Sequence, residues 1–318
     1  MTQYIARRIL IMFPVALLVT VFLFVLIRQT PGDPVLVRLG EEATPENRAA
    51  LRAELGLDQP VYVQYGKGLT RIVRGDLGRS IRNDQPVSEA IVERLPATLE
   101  LGLAAFLYSV ALAIPLGALA ALYRRGPVGA AASAFTFAGV SMPGFFLGLL
   151  LILVFSLTLG WLPPGGYVAF IEDPLGNLKR LILPAITLGT FSAAINMRLV
   201  RSSLLDAIVQ DYIRTARAKG LSERMVFFRH ALRNALIPVV TIVGIQVAAL
   251  WEGAVVTETI FAWPGVGRLV INSIGGRDYA VVQAVVLIAA FSYMISSLLV
   301  DIAYAYLDPR ISYGNRRG

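Results

Sequence analysis

Six long apolar runs limit what this 318-residue chain can fold into, because each must be kept away from water. A helix crosses about 30 Å of hydrocarbon with about 20 residues, and every run approaches or exceeds that length. Only 16% of the residues are charged, whereas a soluble domain has about 25%. The sequence therefore predicts an all-α polytopic membrane protein with six transmembrane helices, of which two should be kinked by Pro115 and Pro143. The predicted spans are 9–27, 99–122, 134–159, 183–199, 238–256 and 280–303.

The first run has a second interpretation, because a signal peptide also begins with basic residues such as Arg7 and Arg8. A signal peptide has an apolar core of about 7–15 residues, which a small-residue cleavage site follows. The run 9–27 is longer, and the polar stretch 29–33 offers no such site. We therefore expect a retained transmembrane helix.

Short basic flanks predict the orientation, since Lys and Arg collect on the cytoplasmic side of a membrane protein. In the six-span order, the basic flanks all fall on one side, so both termini are predicted to be cytoplasmic. The flanking residues are Arg7, Arg8, Arg124, Arg125, Arg198, Arg201, Arg214, Arg217, Lys219, Arg224, Arg229, Arg233, Arg310, Arg316 and Arg317.

The predicted organisation has three parts. Residues 1–28 form the N-terminal cytoplasmic end and the first span, and residues 29–97 form an extracytoplasmic helical segment. Residues 98–318 form a five-helix transmembrane core that includes a cytoplasmic loop, 204–235. The 29–97 segment is open to two interpretations, a lid packed on the span ends or a landing surface for a delivery protein.

The loop 204–235 contains a short amphipathic pattern. Gly220 is placed to end one helix, and Ser222 is placed to cap the next, with Glu223 in its first turn. The spacing predicts one shared apolar face. Its members are Leu221, Met225, Phe228 and Leu232. Such a helix either lies on lipid or enters a groove on a partner protein, and the spacing alone does not choose between them.

Composition excludes several kinds of site. The chain has no cysteine and one histidine, His230, so neither a Cys-based nor a multi-His metal site is expected. It has no Gly-x-x-x-x-Gly-Lys-Ser/Thr loop, so it cannot hold ATP by that route. It also has no basic patch interleaved with aromatic residues, which disfavours nucleic acid as a partner. No catalytic residues are predicted.

Polar residues inside the spans are candidates for a translocation path, together with Met142 as part of a gate. Their alternative role is hydrogen bonding between helices, which is common in membrane bundles. Glu252 is an intramembrane carboxylate and so a functional hypothesis by default, although its position toward the outer face reduces its desolvation cost. The candidate path residues are Ser141, Met142, Asn196, Gln246, Glu252 and Ser292.

Five stretches in order along the chain resemble ABC importer permeases of the dipeptide, oligopeptide, glutathione and nickel group. They are Pro31-Gly32-Asp33-Pro34, Leu55-Gly56-Leu57-Asp58-Gln59-Pro60, Gly160-Trp161-Leu162-Pro163, the loop with Arg214-Thr215-Ala216, Gly220 and Pro238, and Trp263-Pro264-Gly265-Val266-Gly267-Arg268. The loop lacks the glutamate of the general signature and has a longer gap from Gly220 to Pro238. Both departures resemble this group, and the resemblance covers nearly the whole chain.

The resemblance implies a type I ABC importer permease fold in a bacterial inner membrane. It implies a second paralogous permease subunit, two ABC ATPase subunits that carry ATP and Mg, and an extracytoplasmic substrate-binding protein, besides membrane lipid. This chain itself would bind no cofactor, have no catalytic activity and form half of a path for di- or oligopeptides or glutathione-like cargo. The residues implied in ATPase docking are Ala216, Gly220, Leu221, Ser222, Glu223, Arg224, Met225 and Phe228.

Three other classes compete with this interpretation. A secondary transporter or channel usually needs paired ionisable residues near mid-membrane, which the predicted spans lack. An intramembrane enzyme would need more than His230, and the chain has no His-Glu-x-x-His motif. A structural scaffold would not explain the ordered motifs.

Overall fold

Long helices dominate the part of the chain that can be described. A computed structural model describes residues 2–29, 34–39, 44–54 and 56–307. The first half contains α1 Thr2–Gln29, α2 Pro34–Leu39, α3 Pro45–Glu54, α4 Val61–Val73, α5 Val87–Val92, α6 Leu95–Leu122, α7 Pro127–Ser141 and α8 Gly144–Leu151. The second half contains α9 Pro174–Ile208, α10 Asp211–Ala218, α11 Glu223–Met225, α12 Arg233–Ile260, α13 Val266–Gly275 and α14 Tyr279–Leu307. The predicted all-α polytopic fold is thus confirmed.

The count of six spans is not confirmed in the described residues. Four helical stretches there are long and apolar enough to cross a membrane, or up to five if one bent pair counts as a span. Most of the predicted spans lie within these helices. The predicted span 238–256 lies inside α12, where residues 247–253 have side chains outside the described part.

The predicted span 134–159 is broken rather than kinked. Its two halves, α7 and α8, meet at an angle of 109°, and α8 continues as a π-helix over Ile152–Thr158. Pro143 stands between the halves, and Met142 before it adopts extended backbone angles, φ −85° and ψ 122°. A proline disfavours helical angles in the residue before it, which explains the break. Pro115, by contrast, lies within the continuous helix α6.

The chain divides into two compact units. The first comprises Met1–Thr98 and Pro264–Leu298. Its segments are joined by hydrogen bonds distant in sequence, because Val266 N donates to Thr98 Oγ1 at 2.8 Å and the Ser80 hydroxyl bonds the Asp278 carboxylate. The predicted extracytoplasmic segment ends next to the boundary at Thr98, but its pairing with 264–298 was not expected from sequence.

The second unit comprises Leu99–Trp263 and Leu299–Gly318. Its central element is α9, a 35-residue helix that packs against α7, α8 and α12. Gly189 lets α9 approach α6 closely, since a Cβ there would lie 2.6 Å from the Ala105 carbonyl oxygen. Small residues at such crossings are the usual means of close helix packing in membranes.

Candidate functional site

The loop after α9 contains the short helix α10, which ends abruptly before Gly220. Gly220 has φ +76°, which favours glycine, and α10 ends just before it. Gly220 N donates to Arg217 O at 2.9 Å, and Leu221 N donates to Ala216 O at 3.4 Å. This pair of bonds is the Schellman arrangement, in which a left-handed residue closes the last turn. The predicted role of Gly220 as a helix stop is confirmed.

A new helix begins after the bend. Ser222 has extended backbone angles, and its Oγ accepts a hydrogen bond from Met225 N at 3.4 Å, as the predicted cap requires. The helix continues as a π-helix over Val226–Leu232 and runs into α12. The next span was expected to start at Pro238, but Pro238 lies inside α12 instead.

The inner face of this loop is packed against the helix ends above it. Ile213, Ala216, Val226 and Ala231 are buried together with Leu204 of α9. The two buried residues of the π-helix, Val226 and Ala231, stand five positions apart, which matches the i to i+5 pattern of a π-helix. The loop is therefore attached to the bundle by its own hydrophobic core.

Beyond the bend, the loop carries two exposed large apolar side chains. Met225 is 43% exposed and Phe228 is 58% exposed, whereas Leu221 and Leu232 pack against the inner core. The prediction that all four share one face is therefore wrong. That prediction assumed 3.6 residues per turn, but a π-helix has more residues in each turn, so different residues share a face.

A two-point ion pair crosses the bend. Arg217 Nε donates to Glu223 Oε1 at 2.8 Å, and Arg217 Nη2 donates to Oε2 at 3.2 Å. This hydrogen bonding lowers the pKa of Glu223 and raises that of Arg217. Glu223 is among the residues that the resemblance implies in ATPase docking, and in the structure it joins α10 to the next helix. Sequence reasoning missed Arg217 in this role. Arg224 is exposed on the same turn.

Two of the candidate path residues touch each other inside the second unit. Asn196 is 2% exposed, and its Nδ2 donates to Gln246 Oε1 at 2.8 Å and to Ser109 Oγ at 3.2 Å. These bonds join α9 to α12 and to α6. The Oδ1 atom of Asn196 is buried without a hydrogen-bond partner. The group is a polar cluster between three helices.

In the described part of the chain, the other candidate path residues make no hydrogen bond to this cluster. Ser141 is exposed at the end of α7, and Met142 is half-buried beside it. Ser292 is half-buried on α14, which belongs to the first unit at that point. Glu252 lies in α12, but its side chain is outside the described part of the chain.

The loop between α8 and α9 packs on the end of α12. Gly166 N donates to Phe261 O at 2.8 Å, and the Tyr167 ring meets the Trp263 ring edge-on at 4.8 Å. Tyr167 also donates to Glu100 Oε2 at 3.2 Å, and its pKa is raised by burial and by the Glu100 charge. Trp263 is fully buried, so its ring contributes to packing.

Among the described residues, no three His, Cys, Asp or Glu side chains are grouped so that they could hold a metal ion.

Two family models match the chain. Residues 113–313 match the binding-protein-dependent transport system inner membrane component. Residues 1–102 match the N-terminal part of the membrane component of the same transport systems. Together they cover all five stretches on which the resemblance was based.

Known proteins are similar to this chain over nearly its full length. A putative peptide transport system permease of Brucella abortus (strain 2308) is 45% identical over 98% of this chain and 100% of its own length. The dipeptide transport system permease DppB of Escherichia coli (strain K12) is 42% identical over 98% of this chain and 99% of its own length. The glutathione transport system permease GsiC of Salmonella paratyphi A is 40% identical over 98% and 100%.

A solved structure has a similar fold. It is described as an amino acid ABC transporter with histidines, and it covers 69% of this chain and 94% of its own, with a TM-score of 0.50 and 17% identity. At that identity the likeness concerns the fold alone. The family models and the full-length relatives show that this chain belongs to the binding-protein-dependent transport system inner membrane components.

Proposed function

We propose that this chain is one of two permease subunits of an ATP-driven importer of short peptides, coupled to separate ATPases through the loop 204–235. The observation that carries this proposal is the two-sided geometry of that loop. Its inner face is packed on the bundle, while Met225 and Phe228 are exposed on its outer face. A segment that transmits movement from an ATPase to the spans needs both properties, a firm attachment to the spans and an apolar surface on which the ATPase docks. We call the loop 204–235 in this role the lever.

The bend at Gly220 gives the lever its shape. The Schellman bonds and the Arg217–Glu223 pair hold α10 and the following helix at one angle. A movement of the outer face would therefore be passed to α9 and α12, rather than absorbed in the loop. Rocking of such helices would open the path alternately to the two sides of the membrane.

The cargo and partners are proposed from the relatives. Those relatives are named as peptide, dipeptide and glutathione permeases, which supports di- or oligopeptides or glutathione-like molecules as cargo. The proposed assembly has a second paralogous permease, two ATPases that hold ATP and Mg, and an extracytoplasmic binding protein. This chain binds no cofactor and performs no catalysis. Both of its termini are cytoplasmic, and 29–97 lies on the outer side.

The proposed path passes the polar residues of the bundle. The contact between Asn196 and Gln246 is a natural boundary of such a path, because it joins α9 and α12. Ser141, Met142 and Ser292 are assigned to it on sequence grounds, as is Glu252.

The proposal is tested by weakening the outer face of the loop alone. Phe228→Ala should reduce ATPase co-purification in mild detergent about tenfold or more, since burying one phenylalanine side chain is worth about 1.5–3 kcal/mol. Phe170→Ala is the matched control, because Phe170 is 52% exposed in the loop between α8 and α9. ATPase subunits are quantified by mass spectrometry after expression from the native operon.

Loss of the ATPases in Phe228→Ala with retention in Phe170→Ala supports the proposal. Equal retention in both variants overturns the docking role of the outer face. Recovery of the wild-type chain without any ATPase, across several detergents, overturns the importer itself and favours a self-sufficient transporter.

A further inference from the structure

The helix α4, Val61–Val73, is amphipathic, yet none of its residues is buried. At about 100° per residue, six of its apolar side chains fall on one arc of about 120° around the helix axis. Two of them, Tyr62 and Val73, are 77% and 80% exposed. The part of the chain that the structure describes thus leaves much of this apolar arc uncovered. Its members are Val61, Tyr62, Tyr65, Leu69, Ile72 and Val73.

Two contacts place the start of α4 beside the C-terminal end of a membrane span. The Tyr65 hydroxyl lies 2.8 Å from Thr20 Oγ1, and the Tyr65 ring meets the Phe24 ring edge-on at 5.2 Å. Both Thr20 and Phe24 belong to the apolar stretch Arg8–Leu26 of α1. Thr20 stands six residues before the end of that stretch, which is about 9 Å along a helix. The Tyr65 ring therefore reaches below the level at which the apolar part of α1 ends.

The preceding residue of α4 lies at the level of the lipid headgroups. Gln64 Oε1 accepts a hydrogen bond from Arg28 Nη2, and Arg28 Cζ lies 4.1 Å from the centre of the Phe24 ring. Arg28 is two residues beyond the apolar stretch, and a basic side chain at a span end reaches toward the headgroups. Neighbouring residues of α4 thus contact α1 on both sides of the boundary between hydrocarbon and headgroups. Amphipathic helices that bind a bilayer lie at this depth.

The opposite side of α4 is basic. Lys67 and Arg71, together with Arg74 at the end of the helix, fall on an arc of about 60°. All three are exposed, and none of them forms an ion pair or a side-chain hydrogen bond in the described part of the chain. Asp58 and Asp76 flank the helix, but neither forms an ion pair with these cations. This side of α4 therefore carries three positive charges without a partner among the described residues.

A lipid bilayer matches both sides of α4 at once. Anionic headgroups attract cations, and each Lys or Arg near such a surface strengthens binding about fivefold. Acyl chains just below the headgroups cover apolar side chains, and tyrosine is enriched at this depth because it has an apolar ring and a polar hydroxyl. A protein partner would have to supply the same two chemistries beside α1, at a depth where lipid is already present. The contacts with α1 and the charge therefore favour the bilayer.

We propose that α4 lies in the lipid interface beside the C-terminal end of α1. Its apolar arc faces the acyl chains, and its three cations bind anionic phospholipid headgroups. This surface is separate from the loop 204–235 and does not depend on the cargo. Only the identification of this leaflet as the outer one rests on the proposed function.

The depth of α4 is tested with spin labels, because a chain without cysteine can be labelled at single positions without background. The full chain is reconstituted in lipid nanodiscs as Tyr62→Cys, Val73→Cys or Arg71→Cys, each labelled with a nitroxide. Accessibility is measured to oxygen, which concentrates in acyl chains, and to the neutral chelate nickel ethylenediaminediacetate, which stays in water. Oxygen should be favoured at positions 62 and 73, and the nickel chelate at position 71.

The role of the charge is tested by lipid composition, with the label at position 62. Nanodiscs of phosphatidylcholine are compared with nanodiscs of an equal mixture of phosphatidylcholine and phosphatidylglycerol. The anionic lipid should raise the ratio of oxygen to nickel accessibility about threefold or more. Arg71→Gln/Arg74→Gln should lose this response, whereas Arg48→Gln/Arg82→Gln should keep it. The control pair removes the same charge from exposed positions of the same unit outside α4.

Exclusion of both reagents from positions 62 and 73 overturns the proposal, because the apolar arc would then be covered by protein. A preference for the nickel chelate at these positions also overturns it, since α4 would then lie in water. A response to phosphatidylglycerol that persists in Arg71→Gln/Arg74→Gln overturns the binding of headgroups by these cations. The thermal unfolding temperature verifies that each variant is folded. Reversed orientation in the membrane would change none of these results, so a failure here is distinguished from a failure of the proposed function.

Discussion

Arg217 holds both carboxylate oxygens of Glu223, and the two residues stand on opposite sides of the left-handed bend at Gly220. The pair joins the end of α10 to the first turn of the helix that carries Met225 and Phe228. The geometry of the exposed face therefore depends on two features that are separable by mutation, the backbone angle of Gly220 and the ion pair.

The backbone angle is tested at Gly220 itself. Space is not the constraint, because a Cβ there would meet no atom within 4 Å. A left-handed angle costs an ordinary L-residue about 1–2 kcal/mol, and more for a β-branched one. Gly220→Val should therefore reduce transport and substrate-stimulated ATPase activity several-fold, while Gly220→Asn should retain most of both, since asparagine tolerates this angle. Normal substrate-stimulated ATPase activity in Gly220→Val would contradict the role of the loop as a lever.

The ion pair is tested by charge reversal. Arg217→Glu places two acids across the bend and should lower transport, whereas the double variant Arg217→Glu/Glu223→Arg should recover about half or more of it. Uptake by proteoliposomes is the measurement. Failure of the double variant to improve on the single one would show that the pair does not hold the bend.

The pH dependence follows from the pKa of Glu223, which Arg217 lowers from its ordinary value of 4.5. A carboxyl group with a lowered folded pKa contributes stability above its unfolded pKa and loses it as pH falls through the folded value. The pair should thus be fully formed between about pH 5.5 and 8. The ATPase activity of the transporter assembled with the wild-type chain, divided by that of the transporter assembled with Glu223→Gln, should be constant over that range. A ratio that changes with pH there would contradict this assignment.

The close approach of α6 and α9 predicts that a larger residue at Gly189 lowers the stability of the protein. In Gly189→Ala the new Cβ would lie 2.6 Å from Ala105 O and 2.7 Å from Tyr108 Cδ1. Overpacking of this kind costs about 1–3 kcal/mol, so the unfolding temperature in detergent should fall by roughly 2–10 °C. Gly102→Ala is the control, because a Cβ at Gly102 in α6 meets nothing within 4 Å. Similar unfolding temperatures for the two variants would contradict the tight crossing.

Substitution of Asn196 distinguishes a structural role of its polar cluster from a role in the translocation path. Asn196→Ala removes bonds to Gln246 and Ser109, and hydrogen bonds between membrane helices are worth about 0.6 kcal/mol on average. We expect a lower unfolding temperature, with a double-mutant cycle that shows coupling to Gln246→Ala. A change in the KM for peptide uptake without any loss of stability would identify Asn196 as a cargo contact instead.

The sequence predicted the long elements well because burial in lipid demands unbroken apolar helices, as in α1, α6 and α14. It also located the stop at Gly220 and the cap at Ser222, since both depend on local backbone chemistry. It misjudged the span around Pro143, where a proline can kink or break a helix according to its tertiary surroundings. Arg217 was missed because a pair six residues apart across a bend leaves no periodic signal. The hydrogen bond between Ser80 and Asp278 in the first unit joins segments 198 positions apart, which no local pattern reveals.

The π-helix over Val226–Leu232 lets the loop tolerate a change in its length. A turn closed by i to i+5 bonds holds one residue more than an ordinary α-helical turn. Loss of a single codon within it would let the segment return to an α-helix, while the residues on both sides keep roughly their directions. A deletion inside the regular helix α9 has no such reserve, and it would turn every residue on one side of it by about 100°. Natural variation in length should accordingly occur in the π-helical stretch rather than in α9.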